Sequence, residues 1–435
     1  MLKRRLAAAC FLLAALFATS PLIVADTVVV HAGRLLDVAQ GRYLENQAIR
    51  IEDGRVADIV PYLAGAAGED GLIDWSVYTV LPGLIDLHTH LVGDISGGNI
   101  LTWPLMHSEA QDVLLGVAHA RTTLAAGFTT VRDVGVYRAF EDVALRNAIN
   151  DGLVEGPRMF VAGAYVTVSA GGGEVTGIAP DIVLPASMRR GVANNPDQVR
   201  QRVRELLTGG ADFIKVMATG AVLTAGTTPS ASEFTEEELR AAVDEATNAG
   251  TFVVAHAHGT EGIKRAVRAG VRSIEHGSYL DDEGIELMRR KGTWLVADIY
   301  NGDYTEEVGT REGWSAELLR KNRETTGIQR EAFRKAVRAG VRIGFGTDAG
   351  IYPHGDNARQ FAYMVRYGLS PLGAIRAATI DAARCLGRER DLGSVSPGKY
   401  ADMIAVAGDP LADVELLSRV AAVMKEGHLI TGSHP

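Results

Sequence analysis

Six side chains that can bind metal ions stand just behind short apolar runs in this sequence. In the run 84–90, strand alternation places His88 and His90 on one face, so both imidazoles can reach the same cation. The other four members end similar apolar runs: Lys215, His256, His276 and Asp348. We therefore predict one metal site built from all six side chains.

Imidazole nitrogens and carboxylate oxygens are the ligands that suit Zn²⁺ and its first-row neighbours. No cysteine belongs to the set, which argues against a closed structural zinc site and favours an open catalytic one. A metal ion in such a site polarises a carbonyl and activates water, which is the chemistry of amide, ester or lactone hydrolysis. Asp348 is our candidate for the carboxylate that takes the proton from water and passes it to the leaving group.

Eight apolar runs that read as strands alternate with helix-patterned segments in the middle of the chain. Several of these segments end at Ala-Gly, and glycine accepts the positive φ of a helix end without strain. The predicted strands are 84–88, 129–133, 158–162, 213–216, 251–256, 273–276, 294–297 and 341–346. This alternation predicts an α/β protein with a (β/α)₈ TIM-like barrel over residues 81–390, whose active site lies at the carboxyl ends of the strands.

Short β-rich pieces separated by turn signals occur near both ends of the chain. Before the predicted barrel they are 27–31, 48–52 and 55–59, and after it they are 401–407 and 420–426. Glycine-containing turns such as Asp53-Gly54 separate them. We predict that residues 26–80 and 391–435 build one small β-sandwich-like domain from both termini.

The first 25 residues have the composition of a secretory signal peptide. Three basic residues precede the apolar stretch 6–17, and small and polar residues follow as far as Ala25. The apolar stretch is shorter than the roughly 20 residues of a membrane-spanning helix, so we predict cleavage of residues 1–25 rather than anchoring. The mature chain is then expected to be periplasmic or secreted, with no membrane partner and with Cys385 as its one thiol.

Composition narrows the classes of partner. The chain has 435 residues, a net charge of −9 and 22% charged residues, without blocks of one sign. Such a length accommodates one large domain and one small one. An acidic chain of this kind does not favour nucleic acid or an anionic membrane surface as a partner.

The six predicted ligands resemble the metal-binding residues of the amidohydrolase superfamily. His88-Thr89-His90 is similar to its strand-one HxH motif, His256 and His276 to the histidines of strands five and six, and Asp348 to the strand-eight aspartate. Lys215 matches the lysine that is carboxylated in that superfamily, since a buried neutral amine can take up CO₂. The resemblance implies two divalent metal ions, expected to be Zn²⁺, bridged by carboxylated Lys215.

Within the superfamily, three segments resemble the prolidase-like metallodipeptidases and carboxypeptidases, a group that includes ochratoxin-hydrolysing amidohydrolases. The segments are 213–220 (FIKVMATG), 255–259 (AHAHG) and 346–350 (GTDAG). The group cleaves the amide bond to a C-terminal amino acid, which implies a small peptide or N-acyl amino acid as the substrate and assembly into a homo-oligomer. By the same resemblance, His258 faces the substrate near its carbonyl oxygen and is not a metal ligand.

One loop departs from the pattern of this group. Many relatives carry a histidine in a glycine-rich loop after strand three, where residues 169–174 of this chain read SAGGGE. A residue that helps to hold the substrate carboxylate is therefore missing or replaced. The preferred C-terminal residue of the substrate stays open at this point.

We considered four functions for a protein with this set of residues. An Xaa-Pro or Xaa-Arg dipeptidase or carboxypeptidase is the first interpretation. An ochratoxin-type amidase acting on N-aroyl-phenylalanine would use the same ligands with a roomier pocket. Lactonase or phosphotriesterase activity uses similar ligands but is disfavoured by the peptide-group motifs, and a non-catalytic binding protein is disfavoured by the intact ligand set with Asp348.

Overall fold

A computed structural model of the chain describes residues 28–65, 71–94, 103–179 and 181–432. The predicted signal peptide, residues 1–25, lies outside the described residues. The strands, in chain order, are β1 (Val28–Asp37), β2 (Arg42–Glu52), β3 (Arg55–Pro61), β4 (Leu72–Pro82), β5 (Leu84–Thr89), β6 (Phe128–Asp133), β7 (Arg158–Val161), β8 (Tyr165–Val166), β9 (Ile214–Met217), β10 (Val253–Ala257), β11 (Ser273–His276), β12 (Trp294–Val296), β13 (Arg342–Gly344), β14 (Met403–Val406), β15 (Val420–Lys425) and β16 (His428–Thr431).

Helices separate most of the central strands. In chain order they are α1 (Trp103–Met106), α2 (Glu109–Ala125), α3 (Glu141–Asn150), α4 (Pro196–Thr208), α5 (Glu236–Asn248), α6 (Thr260–Ala269), α7 (Asp282–Lys291), α8 (Asn301–Glu312), α9 (Ala316–Arg338), α10 (Arg359–Arg366), α11 (Pro371–Ala377) and α12 (Ile380–Leu386). Two short 3₁₀ helices span Ala186–Arg189 and Val414–Ser418. Among the described residues, no helix combines the length and the apolar character that crossing a bilayer requires.

Local signals explain where several helices begin and end. Helix α5 begins with a capping box, in which the Thr235 side chain accepts from the Glu238 N–H and the Glu238 side chain accepts from the Thr235 N–H. Helix α6 ends at Ala269, and Gly270 follows in the left-handed conformation with φ 103°. The predicted Ala-Gly helix end is confirmed there, because glycine has no Cβ to oppose a positive φ.

The central strands form two parallel sheets. Strands β5, β6 and β7 make a three-stranded sheet, and β8 to β13 make a six-stranded sheet in chain order. Every strand pair in both sheets is parallel. Nearly all their residues are buried, as expected for parallel strands covered by helices on their outer face. The predicted α/β class is confirmed.

Backbone hydrogen bonds join the edges of the two parallel sheets. At one edge, the Asp212 N–H donates to the Val161 carbonyl at 2.8 Å. At the other edge, the Leu87 N–H donates to the Phe345 carbonyl at 2.9 Å, and the Asp348 N–H donates to the His88 carbonyl at 2.8 Å. These bonds bring the regions that hold His88 and Asp348 side by side.

The predicted strands match observed strands to within two residues at each end, with three points of difference. The third, 158–162, corresponds to β7, and after a turn at Gly163, whose φ is 76°, the chain forms the short strand β8, which was not predicted. The eighth ends at Gly344, four residues before Asp348, instead of running to 346. Lys215 lies inside β9, which continues to Met217, and so does not stand at the end of its strand as predicted.

A seven-stranded mixed sheet is built from both termini, in the order β16-β15-β14-β4-β1-β2-β3. Strand β4 joins its two parts, pairing parallel with β1 and antiparallel with β14. The sheet has its own apolar core, which includes Val30, Ile49, Trp75 and Met403. The contribution of both termini is confirmed, although the strands bond into one continuous sheet and not into two stacked sheets. The domain boundaries at 80/81 and 390/391 stay predictions.

Candidate active site

All the site residues predicted from the sequence line one cavity. They are the six predicted metal ligands and His258. All seven are buried, and Lys215 is only 1% exposed. The volume of the cavity is about 100 Å³. This volume holds roughly eight water molecules, so a small amino acid, which has a similar number of non-hydrogen atoms, would fit.

The ligand atoms fall into two neighbouring groups that share His276. In one group, atoms of His88, His276 and Asp348 lie within 4.8 Å of one another. In the other, atoms of His256, His258 and His276 lie within the same distance. Two buried groups of nitrogen and oxygen donors with a common member suit two adjacent divalent cations. The grouping also places His258 among potential ligands, whereas the sequence assigned it to the substrate alone.

Most of these imidazoles have one ring nitrogen tied to a neighbouring group. Nδ1 of His88 lies 2.9 Å from Glu275 Oε2, Nδ1 of His90 lies 3.0 Å from the Gly135 carbonyl, and Nδ1 of His276 lies 2.9 Å from Asp298 Oδ1. Such contacts set the tautomer and leave Nε2 as the atom for a cation.

His256 and His258 are kept neutral by their surroundings. Burial, together with the positive charge that His276 would carry, lowers the pKa of His258 to about 3. The same two causes hold the pKa of His256 well below its usual range. Because only neutral imidazole can bind a metal ion, both rings are ready to act as ligands at neutral pH.

Asp348 faces the two histidines of the first strand. Its Oδ1 lies 3.4 Å from His88 Nε2 and 3.2 Å from His90 Nε2. Burial alone would raise the pKa of this carboxyl, but the two histidines hold it well below its usual range. Asp348 therefore lines the cavity as an ionised acceptor.

Lys215 lies in a buried environment of mixed charge. Burial lowers its pKa to about 8, against the opposing effect of the carboxylates Glu275 and Asp348. The guanidinium of Arg132 lowers the pKa further. A substantial fraction of the amine is therefore neutral near physiological pH, which is the condition for reaction with CO₂.

Two of the candidate ligands have strained backbones. His276 has φ 70° and Asp348 has φ 59°, both in the left-handed region that non-glycine residues seldom adopt. Each such residue costs on the order of 1–3 kcal/mol and persists only where the surroundings hold it. The hydrogen bond from the Asp348 N–H to the His88 carbonyl is one such restraint. Strain at two ligands of one cavity indicates a functional site.

A protein-family comparison agrees with this geometry. The model of the amidohydrolase family matches residues 79–430, which include all seven side chains and most of the chain. The chain belongs to the amidohydrolase family.

Several known proteins are similar to this amidohydrolase. It is 33% identical to an ochratoxinase of Aspergillus niger over 95% of this chain and 89% of that protein. It is 37% identical to a solved Xaa-Pro dipeptidase with methionine bound in the active site, with a TM-score of 0.88 over 93% of this chain and 99% of that one. A solved prolidase in complex with N-methylphosphonate-L-proline is 31% identical, with a TM-score of 0.86 over 94% of this chain and 100% of that one.

The amidohydrolase has two further carboxylates that sequence reasoning missed. Glu275 receives a hydrogen bond from Arg132 Nη2 at 2.8 Å while its other oxygen contacts His88. Burial would raise the pKa of Glu275, but Arg132 and His88 lower it to about 2. Asp298 orients His276 and also accepts from Gln329 Nε2 at 2.8 Å. Partners of this kind orient metal ligands and raise their basicity.

His354 supports the backbone at His90. Its Nε2 lies 3.1 Å from the His90 carbonyl, and its ring packs 4.3 Å from that of His119. His119 Nδ1 in turn lies 2.9 Å from the Leu91 carbonyl. The two rings therefore anchor the backbone behind the second histidine of the HxH motif.

The glycine-rich loop after the third strand forms one wall of the cavity. Gly172 lines the cavity, and its N–H donates to Oε1 and Oε2 of Glu233 at 2.8 and 3.0 Å. Burial raises the pKa of Glu233 from 4.5 to about 7. The Glu233 carboxyl group thus holds the glycine-rich loop in place at the cavity wall.

We expect Glu233→Gln to stabilise the protein in a pH-dependent way. Because the pKa of Glu233 is higher in the folded than in the unfolded chain, stability falls as pH rises from about 4.5 through about 7. The glutamine side chain would keep an acceptor for the Gly172 N–H without a buried charge, so the free energy of unfolding should rise by up to about 3 kcal/mol at pH 8 and by little below pH 4.5. Denaturant unfolding at both pH values measures this. Exposed Glu286→Gln is the control, and an equal effect of the two variants at pH 8 would contradict the expectation.

Proposed function

We propose that this amidohydrolase cleaves the amide bond to a C-terminal amino acid in dipeptides or N-acyl amino acids, using two divalent metal ions, expected to be Zn²⁺. The observation that carries the proposal is the pair of donor groups sharing His276 next to Lys215. The 37% identical Xaa-Pro dipeptidase, which holds methionine in its active site, supports an amino-acid leaving group.

The described side chains fit such ions. His88, His90 and Asp348 would hold one ion, His256 and His276 the other, and carboxylated Lys215 would bridge them. When bound, the ions supply Lewis acidity that lowers the pKa of water and polarises the scissile carbonyl. His258 would contact that carbonyl, because its Nδ1 is occupied by Ser278 Oγ at 2.7 Å and its Nε2 remains available.

Asp348 would move the proton during the reaction. As the water oxygen forms a bond to the carbonyl carbon, the Asp348 carboxylate accepts a proton from that water. The C–N bond then breaks, and Asp348 returns the proton to the leaving nitrogen. The products are a carboxylic acid and a free amino acid, and Asp348 is again ionised.

We further infer that the two parallel sheets are two arcs of one (β/α)₈ barrel, in which β7 and the two-residue β8 that follows it share one of the eight strand positions. The hydrogen bonds from Asp212 to Val161 and from Leu87 to Phe345, one at each edge, support this inference. Export through residues 1–25 and assembly into a homo-oligomer stay predictions.

An ochratoxin-type amidase is the second candidate function. The 33% identity to the Aspergillus niger ochratoxinase extends over 95% of this chain. Tyr137 and Tyr165 line the cavity with ring centroids 5.3 Å apart, so an aromatic acyl group would find aromatic partners there. Both candidates use the same metal centre and differ in the acyl side of the substrate.

A substrate panel on Zn²⁺-loaded protein separates the candidates. We expect kcat/KM to be highest for an Xaa-Pro or Xaa-Arg dipeptide, with N-aroyl-phenylalanine slower. If N-aroyl-phenylalanine turned over orders of magnitude faster than every dipeptide, the second candidate would replace the first. Faster cleavage of a lactone or a phosphotriester than of all amides would refute both.

A further inference from the structure

The side chain of Asn301 lies between the two carboxylates that flank the metal centre. Its Nδ2 is 3.1 Å from Asp298 Oδ2 and 3.4 Å from Asp348 Oδ2. Its Oδ1 accepts a hydrogen bond from Thr305 Oγ1 at 3.2 Å. Asn301 is buried at the start of α8 and lines the cavity. Both hydrogens of one amide are thus directed at two acids.

The remaining contacts fix which way each acid points. Asp298 Oδ1 is engaged by His276 and Gln329, and Asp348 Oδ1 faces His88 and His90. Each carboxylate therefore turns one oxygen to the imidazoles and the other to Asn301. Only an amide with Nδ2 towards the acids satisfies this arrangement, since the opposite orientation would set oxygen against oxygen.

The two acids also repel each other. Their Oδ2 atoms lie 3.1 and 3.4 Å from the same Nδ2 of Asn301, so without a donor between them the two acids would face each other directly. A neutral group with two N–H donors bonds to both oxygens and holds the two carboxylates in a fixed relative position. Aspartate in place of Asn301 would add a third acid to the pair, and an aliphatic side chain would leave both Oδ2 atoms without a buried donor.

We propose that Asn301 is a positioning residue that fixes the Asp348 carboxylate for its proposed task, with Oδ1 towards the metal-binding histidines and Oδ2 free of the neighbouring acid. This inference rests on the proposed function for the role of Asp348 in proton transfer. Asn301 acts through Asp348 and Asp298 and takes no proton itself. Thr305 holds the amide in the orientation that both acids require.

The test compares Asn301→Leu with Asn248→Leu. Asn248 is an exposed residue at the end of α5 and does not line the cavity. In Asn301→Leu we expect kcat to fall about 10- to 100-fold, the range for residues that orient metal ligands, with KM changed less than about twofold. The visible absorption of Co²⁺-loaded protein should also shift, because Asp348 no longer presents the same oxygen. Asn248→Leu should leave kcat and the Co²⁺ spectrum as in the native protein.

Equal kcat and equal Co²⁺ spectra in the two variants would overturn the proposal. Should Asn301→Leu fail to fold, Thr305→Val decides, because it keeps Asn301 and its shape but removes the donor to Oδ1; a native kcat and spectrum there would also overturn it. The Co²⁺ readout needs no substrate. A native protein that cleaves no amide would therefore refute the proposed function, while a spectral shift confined to Asn301→Leu would still support the inference.

Discussion

Replacing Asp348 by Asn should lower kcat by about 10²–10⁴-fold, the usual contribution of a positioned acid–base group. Asparagine has the same shape as aspartate but cannot take a proton from water or return it to the leaving nitrogen. It also tolerates the left-handed backbone, so the φ of 59° at this position can be kept. The hydrogen bond from the backbone N–H of residue 348 to the His88 carbonyl needs no carboxylate and should persist. The expected decrease in kcat therefore reflects the lost proton transfer and not misfolding.

Steady-state kinetics with the best substrate of the panel measures this effect, and thermal melting of the same samples controls for the fold. Metal content must be measured in parallel, because Asp348 is also a candidate ligand. If Asp348→Asn kept its metal and more than about a tenth of native kcat, another group would have to carry the proton. Asp381→Asn, at an acid remote from the cavity, is the matched control and should retain native kcat.

The part of the site that depends on strand alternation could be predicted from the sequence. His88 and His90 lie two residues apart on one strand, so their common direction follows from local geometry. Asp298 follows the same rule, because it stands directly after the predicted strand 294–297. It was missed because no motif pointed to it, and the rule that polar residues after strands meet at one edge would have found it.

Other features depend on contacts between distant parts of the chain. Asn301 contacts Asp348 from 47 residues away, and nothing in the sequence around Asn301 marks this pairing. Glu275 stands inside an apolar strand, and its partner Arg132 comes from another sheet. The short strand β8 was missed for a different reason. Gly163 takes a positive φ just after the predicted strand 158–162, and the apolar residues beyond it were not assigned to a separate strand.

Lys215→Met should abolish most of the activity and change the number of metal ions bound per chain. Methionine fills the same buried space without an amine, so the bridge between the two cation positions cannot form. Metal ions contribute several kcal/mol to such reactions, and about 4 kcal/mol corresponds to roughly 10³-fold in kcat/KM. Elemental analysis should give fewer than two ions per chain. Lys321→Met, at a buried lysine that donates to the Thr224 carbonyl, is the control and should keep both ions.

The pH dependence of CO₂ uptake separates a carboxylated lysine from one that merely balances charge. Because burial lowers the pKa of Lys215 to about 8, most of the amine is protonated at pH 7 and most is neutral at pH 9. At a fixed concentration of dissolved CO₂, metal-free protein should therefore form the carbamate roughly ten times faster at pH 9 than at pH 7. Isotope-labelled CO₂ and carbon NMR would follow the reaction directly. A rate of carbamate formation that did not change with pH would show that Lys215 is not the residue modified, and so would a carbamate signal that persisted in Lys215→Met. The bridge between the two metal ions would then have to be built from water and the remaining side chains alone.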